Sequence, residues 1–285
     1  LDVYLTAAGD DLATSVPVQA GAAAGALGNA LTVDSRSWRL RVTAAGSKTD
    51  LRLDLPALTL ASRQVATLVL TPSRGGTLVG ALLLAQQAGI TRLDVASARV
   101  RVVAGVAAGG TVGAAVGGVP LMNAVGSPAV GLYALVPAGT QPVALAVDGV
   151  PLAAPDVVLA AGGDFTLLVR GTPAAPAAGW LEDDNRPALD GTSARLRLVH
   201  GVADVATPLA MTVDFVPAAD DVLPGAASGY AAFAATTTAR LSVTASGQPA
   251  PLFTAIDQRL DAGGVYSVFV VGPLAAPTGI LRRDR

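Results

Sequence analysis

The segment SARVRVVAGVA, residues Ser97–Ala107, returns as SARLRLVHGVA at Ser193–Ala203, 96 positions later in the chain. At the start of each segment, arginines alternate with small or apolar residues. A period of two places successive side chains on opposite faces of a β-strand. The pattern therefore predicts a strand with one face in a core and the other face, with arginines such as Arg195 and Arg197, in water.

Segments of the same character recur in a fixed order along the chain. Three short alternating segments end in a glycine turn: RLRVTAAG from Arg39, ALAVDG from Ala144 and RLSVTASG from Arg240. Three apolar segments come after them: VATLVL from Val65, FTLLVR from Phe165 and YSVFVV from Tyr266. A period of roughly 95 residues is that of domains and not of solenoid repeats. The sequence thus predicts three copies of one domain, at residues 1–96, 97–192 and 193–285.

Each copy has the pattern of an all-β domain. Runs of strand-forming residues are separated by Gly, Pro, Asp or Ser at the short spacing of β-sandwiches. Helical periodicity is confined to Gly80–Gln87, and we predict a terminal strand of the first copy there because the equivalent segments of the other copies contain prolines. We therefore predict three tandem immunoglobulin-like or transthyretin-like antiparallel β-sandwiches, with short linkers near Ala88–Ser97 and Arg186–Ser193.

Several motifs together resemble one bacterial family. They are the opening S-A-R-x-R-x-V-x-G, a DVYL or VDF strand, the turn VPAGT at Val136–Thr140 and the closing YSVFVVGPLAAPTGILRRD at Tyr266–Asp284. This set resembles the DUF4397 family of bacterial envelope and secreted domains. The resemblance implies tandem β-sandwiches on exported proteins and implies no catalytic residues. The second copy has GAAVGG at Gly113–Gly118 where a VDVYVDG-like strand is usual, which leaves its second strand open.

Composition excludes several classes of partner. Charged residues make up 14% of the chain and the net charge is −2, so no electrostatic field attracts nucleic acid or an anionic membrane. The chain has no cysteine, and neither disulfides nor thiolate metal sites can stabilise it. The apolar stretch Gly75–Thr91 is too short to span a membrane, and the stretch Val102–Val147 is interrupted by Gly and Pro. We predict no membrane span. The resemblance to DUF4397 domains implies an exported protein, located in the extracellular space or at the cell surface, with the periplasm as the alternative.

The sequence contains no recognisable catalytic or metal-binding motif. His200 is the only histidine and lacks the partners of a hydrolase triad or a zinc helix, so we interpret it as a structural polar residue at a strand end. The acidic clusters Asp10–Asp11, Glu182–Asn185 and Asp220–Asp221 lack the alternating spacing of a calcium loop. We interpret Glu182–Asn185 as a solvated loop, with a metal site as the alternative. We predict no enzyme activity, no catalytic residues, no cofactor and no metal.

The first copy begins at its second strand in our alignment. LDVYLTAAGDD from Leu1 matches MTVDFVPAADD from Met211 with an offset of 210 positions, which places the first strand of this copy ahead of Leu1. A sandwich without that strand exposes an apolar groove, lined here by Leu1, Val3 and Leu5, and a row of unpaired backbone groups. Two explanations stay open: the strand lies in upstream residues, or a neighbouring copy of the protein supplies it by strand complementation. They predict an upstream or foreign strand beside Leu1–Thr6, or a chain terminus of the next subunit near it.

These observations predict a non-enzymatic structural protein of the bacterial cell surface or extracellular space. Its chains form a homo-oligomer, head to tail, through strand complementation, and such a contact propagates into a filament unless it closes into a ring. The alternative is a ligand-binding surface module, an adhesin or glycan binder, that takes a polysaccharide with the loops at one end of each sandwich. Saturable polysaccharide binding by the monomer would favour the alternative.

Overall fold

The computed structural model describes residues 1–203, 205–248 and 250–285, and these residues form an all-β protein, as predicted. The chain divides into two compact units, Leu1–Ala96 and Ser97–Arg285. A three-residue 3-10 helix at Ala107–Gly109 is the one helical element in the described part of the chain. Within that part, no helix has the length and apolar character needed to cross a membrane.

The strands of the first unit are β1 Asp2–Thr6, β2 Ser37–Ala44, β3 Ser47–Thr59, β4 Ala66–Pro72, β5 Val79–Ala85 and β6 Gly89–Leu93. They form two antiparallel sheets, in the orders β1-β2-β3 and β4-β5-β6. Apolar side chains of both sheets meet in one core, with Leu40 and Leu53 from the first sheet and Ala81 and Leu83 from the second. The strand predicted over Gly80–Gln87 is present as β5, but it is not the terminal strand of this unit, because β6 follows it.

The strand β6 lies inside the segment Ala88–Ser97, which the sequence predicted as a linker. Gln87 and Gly89 have positive φ angles of 64° and 89°, and they fold the chain back on itself in a tight hairpin. As a result β6 pairs antiparallel with β5 instead of leading straight to the second copy. The linker prediction was therefore wrong for the first half of this segment.

The strands of the second copy are β7 Ser97–Val106, β8 Thr111–Val116, β9 Val119–Gly126, β10 Ala129–Val130, β11 Ala134–Pro137, β12 Gly139–Gln141, β13 Val143–Val147, β14 Val150–Pro151, β15 Val157–Leu159, β16 Asp164–Thr172 and β17 Ala175–Asp183. One sheet has the order β10-β7-β16-β17, with β11 also on β7, and another has the order β14-β13-β8-β9. A small sheet joins β12 to β15. The second strand of this copy, which GAAVGG left open, is β8.

The strands of the third copy are β18 Ser193–Ala203, β19 Leu209–Val213, β20 Val216–Val222, β21 Ala231–Ala234, β22 Thr236–Ala245, β23 Phe253–Leu260, β24 Val265–Pro273 and β25 Thr278–Arg283. They form two sheets, in the orders β21-β18-β24-β25 and β20-β19-β22-β23. The core joins both sheets, with Leu196 and Val268 from the first and Met211 and Val243 from the second.

The opening strands pair in parallel, which departs from the all-antiparallel prediction. β7 runs parallel to β16, and β18 runs parallel to β24. Between each opening strand and its parallel partner the chain forms all the strands of the other four-stranded sheet. A crossover of that length allows two neighbours to run in the same direction. The sheets that contain β7 and β18 are therefore mixed.

Two arginines of the opening strands are buried, although the sequence predicts that they face water. Arg101 and Arg197 point away from the core of their own copy, yet they are only 2% and 1% exposed. The outer faces of the two opening strands pack against each other, and a cluster that includes Val103, Val199 and Phe269 fills the contact. The alternation correctly predicted two faces, but the second face meets another copy and not solvent.

Candidate functional site

The contact between the second and third copies contains exchanged ion pairs. Arg101 of the second copy donates to both carboxylate oxygens of Asp284 in the third copy, with an Nη2–Oδ2 distance of 3.1 Å for one of the bonds. Arg197 of the third copy donates in turn to Asp183 of the second. None of the four side chains belongs to a residue that is more than 6% exposed. Each buried guanidinium is therefore neutralised by a carboxylate of the other copy.

Hydroxyl groups complete this network within each copy. The Thr166 hydroxyl accepts from Arg101 Nε at 2.9 Å and donates to Asp183 at 2.6 Å. Ser267 holds the equivalent place in the third copy. Its hydroxyl accepts from Arg197 Nε at 2.8 Å and donates to Asp284 at 2.6 Å. The same contacts thus run in both directions, as in an isologous interface between two identical subunits.

Tyr133 and Asn185 extend the network on one side. The Tyr133 hydroxyl donates to Asp183 at 2.6 Å and accepts from the Asn185 amide at 3.2 Å, and that amide also donates to Asp164 at 2.8 Å. Burial, and then the charge of Asp183, raise the pKa of the Tyr133 hydroxyl well above its ordinary value, so it stays a donor at neutral pH. Its counterpart Tyr230 has no partner for its hydroxyl among the described residues.

This network overturns the interpretation of Glu182–Asn185 as a solvated loop. Its first two residues end β17, and Asp183 and Asn185 are buried at 1% and 0% exposed. A signal was present in the sequence, because an aspartate recurs 101 positions later as Asp284, in the same place of the third copy. Among the described residues, no group of three or more His, Asp or Glu side chains could hold a metal ion.

Among the described residues of the first copy, no strand takes the place that β7 has beside β16 and β18 has beside β24. The counterpart of β16 and β24 in this copy is β4, and in the described residues β4 pairs with β5 alone. β16 and β24 have a strand on both edges and are buried over most of their length. In β4 the side chains of Ala66, Thr67 and Val69 are exposed. Such an edge offers unpaired backbone groups to any strand that can pair with it.

The hydrogen-bond register shows which backbone groups face this open edge. The Gln86 N–H donates to the Val65 carbonyl at 2.9 Å, so these two residues form a hydrogen-bonded pair that continues the β4–β5 ladder. Bonded and non-bonded pairs alternate along an antiparallel ladder. The N–H and C=O groups of Ala66, Leu68 and Leu70 therefore point away from β5, toward the open edge.

The predicted groove residues lie on the sheet that faces β4, at the partly exposed rim of the core that both sheets share. Leu1, Val3 and Leu5 pack against the core but stay partly exposed. The three core-facing side chains of β19, the equivalent strand of the third copy, are at most 2% exposed. The core of the first copy is therefore closed less completely than that of the third.

The strand register also corrects our alignment by two residues. Leu5 lies opposite Leu40, and Val213 lies opposite Leu241. Since Leu40 and Leu241 hold the same place in RLRVTAAG and RLSVTASG, the offset between the copies is 208 positions and not 210. The shared Asp-Asp letters misled the alignment, because they lie outside any strand in the first copy and inside β20 in the third.

The structure also corrects the expectation that an incoming strand pairs with Leu1–Thr6. β2 pairs with β1 on one side. On the other side the Val3 N–H donates to the Gln19 carbonyl, and the Val18 N–H donates to the Val3 carbonyl, both at 2.8 Å. Both edges of β1 are thus engaged near Val3, and the open edge belongs to β4 in the facing sheet.

One comparison with known families concerns the second copy. Residues 98–207 match the sequence model of a family described as "Domain of unknown function (DUF4397)". This part of the chain is similar to the DUF4397 family. This match confirms the resemblance for residues 98–207, the DUF4397 segment, which runs from β7 to beyond β18 and so includes both opening strands. The closing motif at Tyr266–Asp284 lies outside the match. No curated protein matches the chain.

The histidine of the DUF4397 segment lies within β18 and not at its end. His200 is 0% exposed. Its Nδ1 accepts from the Val202 N–H, and its Nε2 lies 3.3 Å from the Thr207 carbonyl, which suits the neutral ring with the proton on Nε2. Burial lowers the pKa of His200. A proton added to Nδ1 would face the Val202 N–H, and two donors cannot bond each other.

Mild acid should destabilise the protein through His200. The pKa of this group is lower in the folded state than its ordinary value of 6.5, so the unfolded state takes up the proton first as the pH falls. We expect the free energy of unfolding to decrease below about pH 6.5, by at most about 1.4 kcal/mol per pH unit. Chemical denaturation between about pH 7.5 and 5 measures this slope. A His200→Gln variant should have a shallower slope, and equal slopes would contradict the prediction.

Proposed function

We propose that this chain is a non-enzymatic structural protein of the bacterial cell surface or extracellular space, built from three tandem immunoglobulin-like sandwiches that self-associate by strand complementation. The observation that supports self-association is the open edge of β4, at the place where the second and third copies carry a parallel strand. The resemblance to envelope and secreted domains supports the location.

An incoming strand would gain two kinds of contact at this edge. Its backbone would bond the outward-facing groups of Ala66, Leu68 and Leu70, which supplies affinity in strand addition. Its inward side chains would cover the core rim formed by Leu1 and Val3. Because donor and acceptor are different surfaces of one chain, each added chain leaves a new acceptor, and the contact propagates into a filament.

An Ala66→Pro variant should weaken self-association. Proline removes one N–H from the open edge and places its ring against the incoming strand, while the β4–β5 ladder does not use this N–H. The loss of one hydrogen bond, at about 1 kcal/mol, together with the clash should raise the dissociation constant at least about tenfold. Sedimentation velocity over a concentration series measures it. Ala66→Ser keeps the N–H and is the matched control, which should associate like the parent chain.

A converse variant supplies the strand from within the chain. The offset of 208 positions places a copy of residues 193–208 directly before Leu1 in the register of the third copy. This fusion should abolish self-association and raise the melting temperature of the first unit. A parent chain that stays monomeric at every concentration would overturn the proposal, and saturable polysaccharide binding by that monomer would establish the ligand-binding alternative.

A further inference from the structure

Residues 26–34, between β1 and β2, belong to no strand, although the stretch from Asn29 to Asp34 has the alternating pattern of one. In the stretch NALTVD from Asn29, Leu31 and Val33 are two positions apart and so fall on one face of an extended chain. They are 50% and 36% exposed. A β-branched pair, Thr32 and Val33, also favours the extended conformation.

Both ends of this stretch are fixed to the sheet β1-β2-β3. The Asn29 backbone N–H donates to the Gln19 side-chain oxygen at 3.3 Å, and the Trp38 indole of β2 donates to the Asp34 carbonyl at 3.0 Å. Between these anchors, residues 30–33 make no backbone hydrogen bond to any residue that the structure describes. Their backbone groups and two apolar side chains are thus available to a partner.

We infer that residues 30–34 are the strand that pairs with the open edge of β4 in a second copy of this chain. The inference rests on the proposed function and names its donor. In the second copy, the strand at the equivalent edge directs Val100 and Val102 into the cores. Leu31 and Val33 have the same spacing and would enter the core of the acceptor beside Leu68.

The two anchors favour an arrangement in which residues 30–34 pair with β4 of a second chain, and not with β4 of their own chain. The anchors hold residues 30–34 at Gln19 and at β2, on the sheet that faces β4 across the core. A second chain can approach β4 with both of its own anchors intact. Every chain then carries one donor and one acceptor, which is the requirement for head-to-tail growth.

A double variant, Leu31→Asp with Val33→Asp, tests the donor in the full chain. Two carboxylates cannot enter an apolar core without losing their hydration, so the dissociation constant for self-association should rise at least tenfold. Folding should be unaffected, because both side chains are exposed in the single chain. Leu27→Asp is the matched control, since Leu27 is 92% exposed in the same segment but lies outside the alternating stretch.

Cysteine cross-linking identifies the partners directly, because the chain has no cysteine of its own. A Val33→Cys protein mixed with an Ala66→Cys protein should yield a covalent heterodimer on oxidation. If Ala66→Pro weakens association and the double aspartate variant does not, the donor is wrong and strand complementation stands. If neither variant changes association, both proposals fail. A monomeric disulfide in the Val33→Cys, Ala66→Cys double variant would overturn donation between chains.

Discussion

The Asp183→Asn variant is expected to lose about 3–5 kcal/mol of the free energy of unfolding of the second unit. Asp183 neutralises Arg197 of the other copy and accepts from the hydroxyls of Thr166 and Tyr133 at 2.6 Å. An amide keeps the shape of the carboxylate but removes its charge. Arg197, 1% exposed, then stays desolvated without the partner that compensates its burial.

Urea denaturation followed by tryptophan fluorescence measures this loss. Each unit contains one tryptophan, so a Trp38→Phe background leaves Trp180 as the reporter of the second unit. Asp184→Asn is the matched control, because Asp184 keeps a side-chain exposure of 32% and pairs with Arg186 and Arg195, which are 62% and 19% exposed. Water screens such partly exposed pairs, and each contributes at most about 1 kcal/mol. Equal losses in the two variants would show that the buried exchange does not stabilise the contact.

The Phe269→Ala variant should lower the free energy of unfolding of the second unit by a similar amount, about 3–5 kcal/mol, because packing is lost. Phe269 is 0% exposed and belongs to the cluster that joins the second and third copies, with Leu168 and Val199 among its members. The Arg101 guanidinium also lies 4.9 Å from the centre of its ring. Truncation leaves a cavity between two sheets that are each fixed by their own hydrogen bonds, so the site can collapse only partly.

The same fluorescence assay, in the same Trp38→Phe background, measures the effect of this truncation. Phe215→Ala is the control in the third copy, because Phe215 is 79% exposed and its loss should change stability by no more than about 0.5 kcal/mol. A Phe269→Ala protein as stable as the Phe215→Ala protein would mean that the two copies do not depend on this cluster.

Local patterns in the sequence predicted the strands of this protein well. The alternation in SARLRLV and the proline-containing counterparts of Gly80–Gln87 both led to strands that the structure contains. These features depend on neighbouring residues alone, since the period of two is a property of the extended backbone. The alternation also separated the two faces of β18 correctly.

Contacts between distant residues could not be derived in the same way. The period of two says that Arg197 faces away from its own core, but it cannot say whether water or another sheet lies on that side. Its partner Asp183 lies in a different copy, and the neighbouring residues of Asp183 alone predict a solvated loop. The sequence likewise predicts an open edge beside β1, because it does not show that Gln19 bonds Val3.

The nine residues 184–192, between β17 and β18, change the thermodynamics of the exchanged arginines. Two separate subunits with this contact would dissociate on dilution, since association costs translational and rotational freedom. A short tether replaces that cost by the smaller entropy of closing a loop, and it holds the partners at an effective concentration in the millimolar range. The second and third copies therefore remain docked in a single molecule at any dilution, and only contacts between whole chains respond to the protein concentration.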